Sequence, residues 1–224
     1  MLAKRFDSYR QQDDYIIFAS GVSDSTNTGK AAFEREKKLL AATLQQYPAR
    51  HLVYFGTCSI YDPGMQHTAY VQHKKEMEEI ISASAKAYTI FRLSNPVGHT
   101  NNPHTLINYF IQHIVKQEPF SVWRHAARNI IDIDDMYTIC DYLLGNGQFT
   151  SPVINIANPQ NYPVPYIVEC IEKHFGIRGH YHLVEKGQQP VIDTSAIAPL
   201  FRKFNINFGE DYLPNLLQKY FPRS

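Results

Sequence analysis

Tyr70-Val-Gln-His-Lys74 places a phenol and an ammonium four residues apart, one turn from each other on the same face of a helix. Thr57 stands thirteen residues earlier and closes the apolar run His51-Leu-Val-Tyr-Phe-Gly-Thr57. A hydroxyl at the end of a buried strand can meet such a pair. The three groups then form a proton-transfer device: a phenol gives or takes a proton, an ammonium lowers its pKa, and a hydroxyl orients a substrate oxygen. In a chain with 15 Tyr the spacing alone also arises by chance, and Tyr70 and Lys74 alone read equally well as an ordinary helix-surface pair. Their surroundings must carry the argument.

The elements that would position these groups are short, nearly continuous apolar runs alternating with helical patterns. Strands are predicted at Tyr15–Ala19, Leu52–Phe55, Tyr88–Leu93 and Val153–Ala157, the kind of run that suits a sheet covered on both faces. Helices are predicted at Lys30–Tyr47, stopping before Pro48, and at Val71–Ala85. Alternating strands and helices imply βαβ units and a parallel sheet. Beyond residue 95 the pattern loosens. It predicts helices at Leu106–Val115, Asp135–Leu144, Pro163–Phe175 and Leu213–Tyr220, with short strands at Asn129–Ile133 and His180–Val184. Met1–Arg10 reads as a helix with no strand before it.

Bulk properties exclude several function classes. With 22 Lys+Arg against 21 Asp+Glu the formal charge is +1, so no electrostatic case exists for nucleic acid or an anionic membrane. A length of 224 residues suits one domain with an intimate lobe. Cys58, Cys140 and Cys170 are far apart, form no CxxC, and read as reduced, partly buried thiols of a cytoplasmic protein. No apolar run approaches a membrane span, and the first residues lack an apolar signal core, so neither a membrane protein nor secretion is expected. Asp132, Asp134 and Asp135 read as a helix-capping or solvated cluster, His180 and His182 as surface residues, and no metal site is expected.

Several segments, in order, resemble the extended short-chain dehydrogenase/reductase family of NAD-dependent nucleotide-sugar epimerases, dehydratases and reductases. Tyr15-Ile-Ile-Phe-Ala-Ser-Gly21 is similar to the strand and loop beneath the cofactor. Tyr54-Phe-Gly-Thr-Cys-Ser-Ile-Tyr61 resembles the segment that carries the catalytic Ser/Thr, and Tyr70–Lys74 matches YxxxK. Arg92-Leu-Ser-Asn-Pro-Val-Gly98, Arg128-Asn-Ile-Ile-Asp-Ile-Asp-Asp135 and Val191-Ile-Asp-Thr-Ser195 resemble later family motifs, and the set covers most of residues 13 to 200.

The resemblance implies a Rossmann-like, doubly wound parallel α/β sheet, shortened at its N-terminal side, with a small C-terminal substrate lobe. It implies a cofactor domain over 1–95, to which 129–158 returns, and a substrate lobe over 96–128 and 159–224. It implies Thr57, Tyr70 and Lys74 as catalytic residues, and Ala19, Ser20, Gly21, Tyr70, Lys74 and Ser94 against NAD or NADP. Asn95 and Arg128 would contact a nucleotide-sugar substrate, and a homodimer would form through the helices at 30–47 and 71–85. Read from the residues alone, Thr57 is a strand-end residue, Asn95 before Pro96 a turn former, and Arg128 the partner of a nearby carboxylate.

Departures from the family pattern matter equally. No GxGxxG occurs among the 11 glycines, and the first strand with its glycine turn is missing, which would fit a start site that omits roughly ten upstream residues; the second and third strands of a full dinucleotide fold are not evident either. Cys58 and Ser59 stand where sugar dehydratases carry acidic residues, which argues against dehydration. The interval from Thr57 to Tyr70 is short for the family. Two readings stay open: an NAD(P)-dependent epimerase or keto-reductase of a nucleotide-linked sugar, or a non-catalytic binding or scaffold protein on the same fold.

Overall fold

The computed structural model describes residues 1–25, 27–100, 102–146 and 152–223. Its first part runs α1 (Leu2–Arg5), β1 (Tyr15–Phe18), α2 (Lys30–Gln46), β2 (His51–Thr57), α3 (Ala69–Ser84), β3 (Tyr88–Leu93), β4 (Asn95–Val97), α4 (Leu106–Lys116) and β5 (Phe120–Trp123). It continues with β6 (Ala127–Asp132), α5 (Ile133–Asn146), β7 (Val153–Ile156), β8 (Asn161–Pro163), α6 (Val164–Phe175), β9 (Tyr181–Val184), α7 (Ala198–Lys203) and α8 (Tyr212–Tyr220).

The main sheet is four-stranded, wholly parallel, in the order β1-β2-β3-β7. Alternate residues of β2 leave from opposite faces, and both faces are covered. Leu52 and Tyr54 pack with Leu40 of α2 and with Met77 and Ile81 of α3. Val53 and Phe55 join Met136, Ile139 and Cys140 of α5. Burial on both sides explains the unbroken apolar runs that made these strands readable. Helices on both faces make the sheet doubly wound, with fewer strands among the described residues than the six of a full dinucleotide fold.

Residues 1–11 are not the single helix predicted for Met1–Arg10. One turn of α-helix passes into a 3-10 turn at Asp7–Gln11. Both parts face the core: Phe6 lodges between Phe55 and Tyr137, each 5.0 Å away, and the Tyr9 hydroxyl donates to Asp141 at 2.9 Å.

The remaining strands form two small sheets, β4-β6-β8 and β5-β9. The core of this lobe is continuous with the α5 side of the main sheet, through Ile107, Phe110 and Ile114 of α4, Ile167 and Ile171 of α6, and Leu213 and Leu217 of α8. Among the described residues no helix is long and apolar enough to cross a membrane.

The aspartates at the start of α5 clasp α8. Asp132 accepts from Tyr220 at 2.6 Å, from Lys219 at 2.7 Å and from the Asp134 N–H at 2.8 Å, which caps α5. Asp134 pairs with Lys219 and with Arg5, and Asp135 accepts from Tyr212. Burial pushes the Asp134 carboxyl up, but Lys219, Arg5 and Tyr220 outweigh it and hold it below the usual range. A carboxylate with a depressed folded pKa stabilises above its unfolded value, and the gain is lost as pH falls through the folded one. We expect Asp132→Ala to cost about 1–3 kcal/mol in urea denaturation, because the buried Tyr220 hydroxyl and the Asp134 N–H lose their short bonds to it. The native protein should lose stability as pH drops below about 4, and a flat profile across that range would contradict this account of the clasp.

Candidate active site

A cavity of about 720 Å³ opens at the carboxyl ends of β1, β2 and β3, where parallel α/β sheets hold ligands. Ala19 and Gly21 line it after β1, Thr57 after β2, and Ser94, Asn95 and Gly98 after β3. Tyr70 and Lys74 enter from α3, and Arg128 and Asn129 from β6. The structure therefore brings together eight of the nine site residues expected from sequence. Ser20 is the exception: it lies in the loop after β1, is exposed and does not line the cavity.

Thr57, Tyr70 and Lys74 are 5%, 7% and 3% exposed. Tyr70 hydrogen-bonds the Thr57 side chain, and Thr57 Oγ1 also accepts the Ser59 N–H at 3.1 Å. Helix α3 starts just before Tyr70 because Thr68 caps it, its hydroxyl accepting the Val71 N–H. The turn after Thr57 is fixed from below. Cys58 donates to the Arg92 carbonyl, while the Arg92 guanidinium holds Glu78 and donates to the Tyr61 hydroxyl at 2.9 Å. A Cβ on Gly56 would meet Glu78 Oε1 at 2.6 Å, so only glycine lets β2 pass over this ion pair.

Lys74 does not do what the spacing predicts. Its ammonium donates to Tyr54 Oη at 2.9 Å, Glu36 Oε1 at 3.2 Å and the Phe55 carbonyl at 3.4 Å. That accounts for all three of its N–H groups, so Tyr70 receives none of them. Tyr70 is pushed up to about 12 by burial, eased by Thr57 and raised again by the Glu36 and Asp24 charges. Burial pushes Lys74 down, and Glu36 and Glu78 push it back up without fully restoring it.

Glu36 is the group that reading the sequence missed. It is wholly buried and accepts from four donors: the Val22 N–H at 2.6 Å, Tyr54 at 2.7 Å, His73 Nε2 at 2.9 Å and Lys74 at 3.2 Å. Burial raises its pKa, but these donors outweigh burial and leave it below the usual carboxylate range. Flanked by Arg35 and Lys37 it looks solvated. The readable signal was its place on the buried stripe Phe33–Glu36–Leu40 of α2, where a charge is out of pattern.

At the other wall, Asn95 Nδ2 donates to the Asn129 carbonyl at 2.7 Å. Arg128 pairs with Asp62 at 3.3 Å and donates to the Ala127 carbonyl. His182 bonds only Ser121 among its described neighbours, on the exposed face of β9. The three thiols are buried, and burial pushes Cys58 up to about 12, although Arg92 offsets part of the rise.

A family model described as the NAD dependent epimerase/dehydratase family matches residues 10–157. No curated protein matches the sequence. Among solved structures, the dTDP-glucose 4,6-dehydratase of Bacillus anthracis in complex with NAD is similar at a TM-score of 0.71 and 17% identity, over 95% of this chain and 74% of that one. The UDP-glucose 4-epimerase of Thermus thermophilus with NAD is similar at 0.65 and 12%, over 95% and 78%. The UDP-N-acetylglucosamine 4-epimerase of Methanobrevibacter ruminantium, in complex with UDP-N-acetylmuramic acid, is similar at 0.67 and 16%, over 92% and 74%. At these identities the likeness is one of fold, and the fold is Rossmann-like.

A methyl group tests how tightly the floor is built. A Cβ on Gly21 would lie 2.8 Å from both Glu36 Oε1 and Lys74 Nζ. Gly21→Ala is expected to destabilise the protein by about 1–3 kcal/mol through overpacking, measured by chemical denaturation. A neutral substitution would mean that the floor gives way more easily than its hydrogen bonds imply.

Proposed function

The chain belongs to the NAD dependent epimerase/dehydratase family, and on that premise we propose that it is an enzyme moving hydride between a nicotinamide cofactor and a carbon of a nucleotide-linked sugar. The observation that carries the proposal is the convergence of Thr57, Tyr70 and Lys74 on one cavity at the sheet's carboxyl edge. Residues 1–95 and 129–158 would form the cofactor side, and 96–128 with 159–224 the substrate lobe.

The residues present fit a dinucleotide at its reactive end. The Ser94 hydroxyl oxygen is buried with no hydrogen-bond partner among the described residues, a group that a polar ligand would satisfy. Gly21 packs its bare Cα against Glu36 and Lys74, which keeps the floor beneath the cavity low. Ala19, Gly21 and Ser94 would line NAD or NADP, with Tyr70 and Lys74 beside its reactive end. A bound cofactor supplies the hydride chemistry.

The chain's own residues supply the rest. Tyr70 transfers the proton at the substrate oxygen, and Thr57 hydrogen-bonds that oxygen and holds it in line. Arg128 sits at the rim, where a diphosphate could replace Asp62 as its partner, since guanidinium suits carboxylate and phosphate alike. Asn95 would hold the nucleotide sugar beside it. The reaction is epimerisation or ketone reduction. Dehydration needs an acid to expel water, and the positions after Thr57 hold Cys58, a buried thiol committed to a carbonyl, and Ser59. Helices α2 and α3 form the outer layer on one face of the sheet, and a homodimer through them is part of this reading.

Calorimetric titration with NADH and with NADPH tests the cofactor. Micromolar binding by either supports the proposal, and binding by neither moves the assignment to a non-catalytic binding module. Tyr70→Phe should keep cofactor binding and lower turnover by at least ~10²-fold, the usual contribution of a positioned acid or base. A fully active Tyr70→Phe protein would rule out the mechanism.

A further inference from the structure

A buried carboxylate that satisfies four donors is costly to place, and its position decides what the neighbouring ammonium can do. Glu36 reaches the cavity floor from α2, whereas Lys74 and His73 come from α3, Tyr54 from β2, and Val22 from the loop after β1. Two donors reach each carboxylate oxygen, Tyr54 and Lys74 on Oε1, Val22 and His73 on Oε2, so no lone pair is left over. Because Glu36 is held as a carboxylate, His73 Nε2 is the donor, and its Nδ1 has no partner among the described residues.

We propose that Glu36 is a positioning residue that commits the Lys74 ammonium to Tyr54 and the Phe55 carbonyl, cancels its charge at Tyr70, and so sets Tyr70 as a proton donor. Tyr70 then meets its substrate as a phenol, suited to a carbonyl oxygen and not to a hydroxyl. This deepens the nucleotide-sugar reading and rests on it, and it favours ketone reduction over epimerisation. In that step the Tyr70 O–H bond breaks and its proton goes to the carbonyl oxygen. Hydride from the reduced nicotinamide goes to the carbonyl carbon, the ketone becomes a secondary alcohol, and the cofactor is oxidised. The phenolate left on Tyr70 regains its proton from solvent.

The charged and titratable groups around Glu36 and Tyr70 are few. From α3 come Tyr70, His73, Lys74 and Glu78; from β2 comes Tyr54; from the loop after β1 comes Asp24. Lys74 is the cation among them. Its distance from solvent, at 3% exposure, leaves little screening between it and Glu36.

Ultraviolet tyrosinate titration of the ligand-free protein, with Tyr70→Phe subtracted, reads Tyr70 alone. In Glu36→Gln, Tyr70 should ionise about one pH unit lower than in the native protein, because the carboxylate charge that raises it is gone and the Lys74 ammonium has lost its match. The alkaline fall of ketone-reducing turnover should move by the same amount. An unchanged Tyr70 titration in Glu36→Gln overturns the proposal.

If Glu36→Gln fails to fold, the double variant Glu36→Gln/Lys74→Met removes both charges together. Tyr70 should then titrate as in the native protein; a Tyr70 still lowered would mean that Glu36 acts on it directly and not through Lys74, a rise of a unit or more would mean that Lys74 had been acting on Tyr70 all along, and either overturns the proposal. The titration needs no cofactor. A shifted Tyr70 in a protein that binds no NADH or NADPH would leave the positioning role standing while the assigned function falls.

Discussion

The carboxylate of Glu36 is the point on which the cavity depends. A buried ion is tolerated only when its hydrogen bonds are met, and the four donors that meet those of Glu36 belong to three different parts of the fold. Fixing Val22 draws the loop after β1 over the floor and leaves Gly21 facing Lys74. Fixing Tyr54 and Lys74 ties α2 and α3 to β2 at the level of Thr57. Such a pair adds little net stability against an apolar alternative, but it allows one arrangement only. That restriction is what a proton-transferring site needs, since a misplacement of about 1 Å can cost two orders of magnitude in rate.

A second buried pair does the same for the other wall. Arg92 and Glu78 lie beneath Gly56, and the guanidinium extends through Tyr61 to Asn155 of β7. The turn that follows Thr57 is thereby bonded to β3 and, beyond it, to β7. Further out, the Asn129 amide gathers the Asn158 and Gln160 carbonyls and Asn161. That cluster sets where Arg128 and Asn95 stand. Rigid strands thus carry short polar loops, each loop anchored by one fully satisfied polar side chain.

How much of this was legible depended on the range of the forces involved. Strands β1, β2, β3 and β7 announced themselves because burial on both faces demands unbroken apolar runs. Strands β4 and β8 carry only three residues each and include Pro96 and Pro163, so no periodicity could mark them. Strand β5 was hidden by its polar setting. The Tyr70 and Lys74 pair was readable because its spacing is local. Its electrostatics were not, because the group that governs them lies on another helix, among Arg35, Lys37 and Lys38, whose charges drown its signal.

The cations around the cavity share one property with different consequences. Each has a carboxylate already in place: Lys74 with Glu36, Arg92 with Glu78, and Arg128 with Asp62. The first pair is 3% and 0% exposed, and its charges cannot separate without stranding one of them in the interior. The last pair is 25% and 12% exposed, at a separation of 3.3 Å, where solvent weakens it and an incoming anion can take the place of Asp62. Depth therefore sorts the charges into two kinds. Those on the floor are fixed and set the protonation of Tyr70, whereas the one at the rim is free to exchange partners. A ligand that brings its own negative charge to the rim and an oxygen atom to the floor matches both.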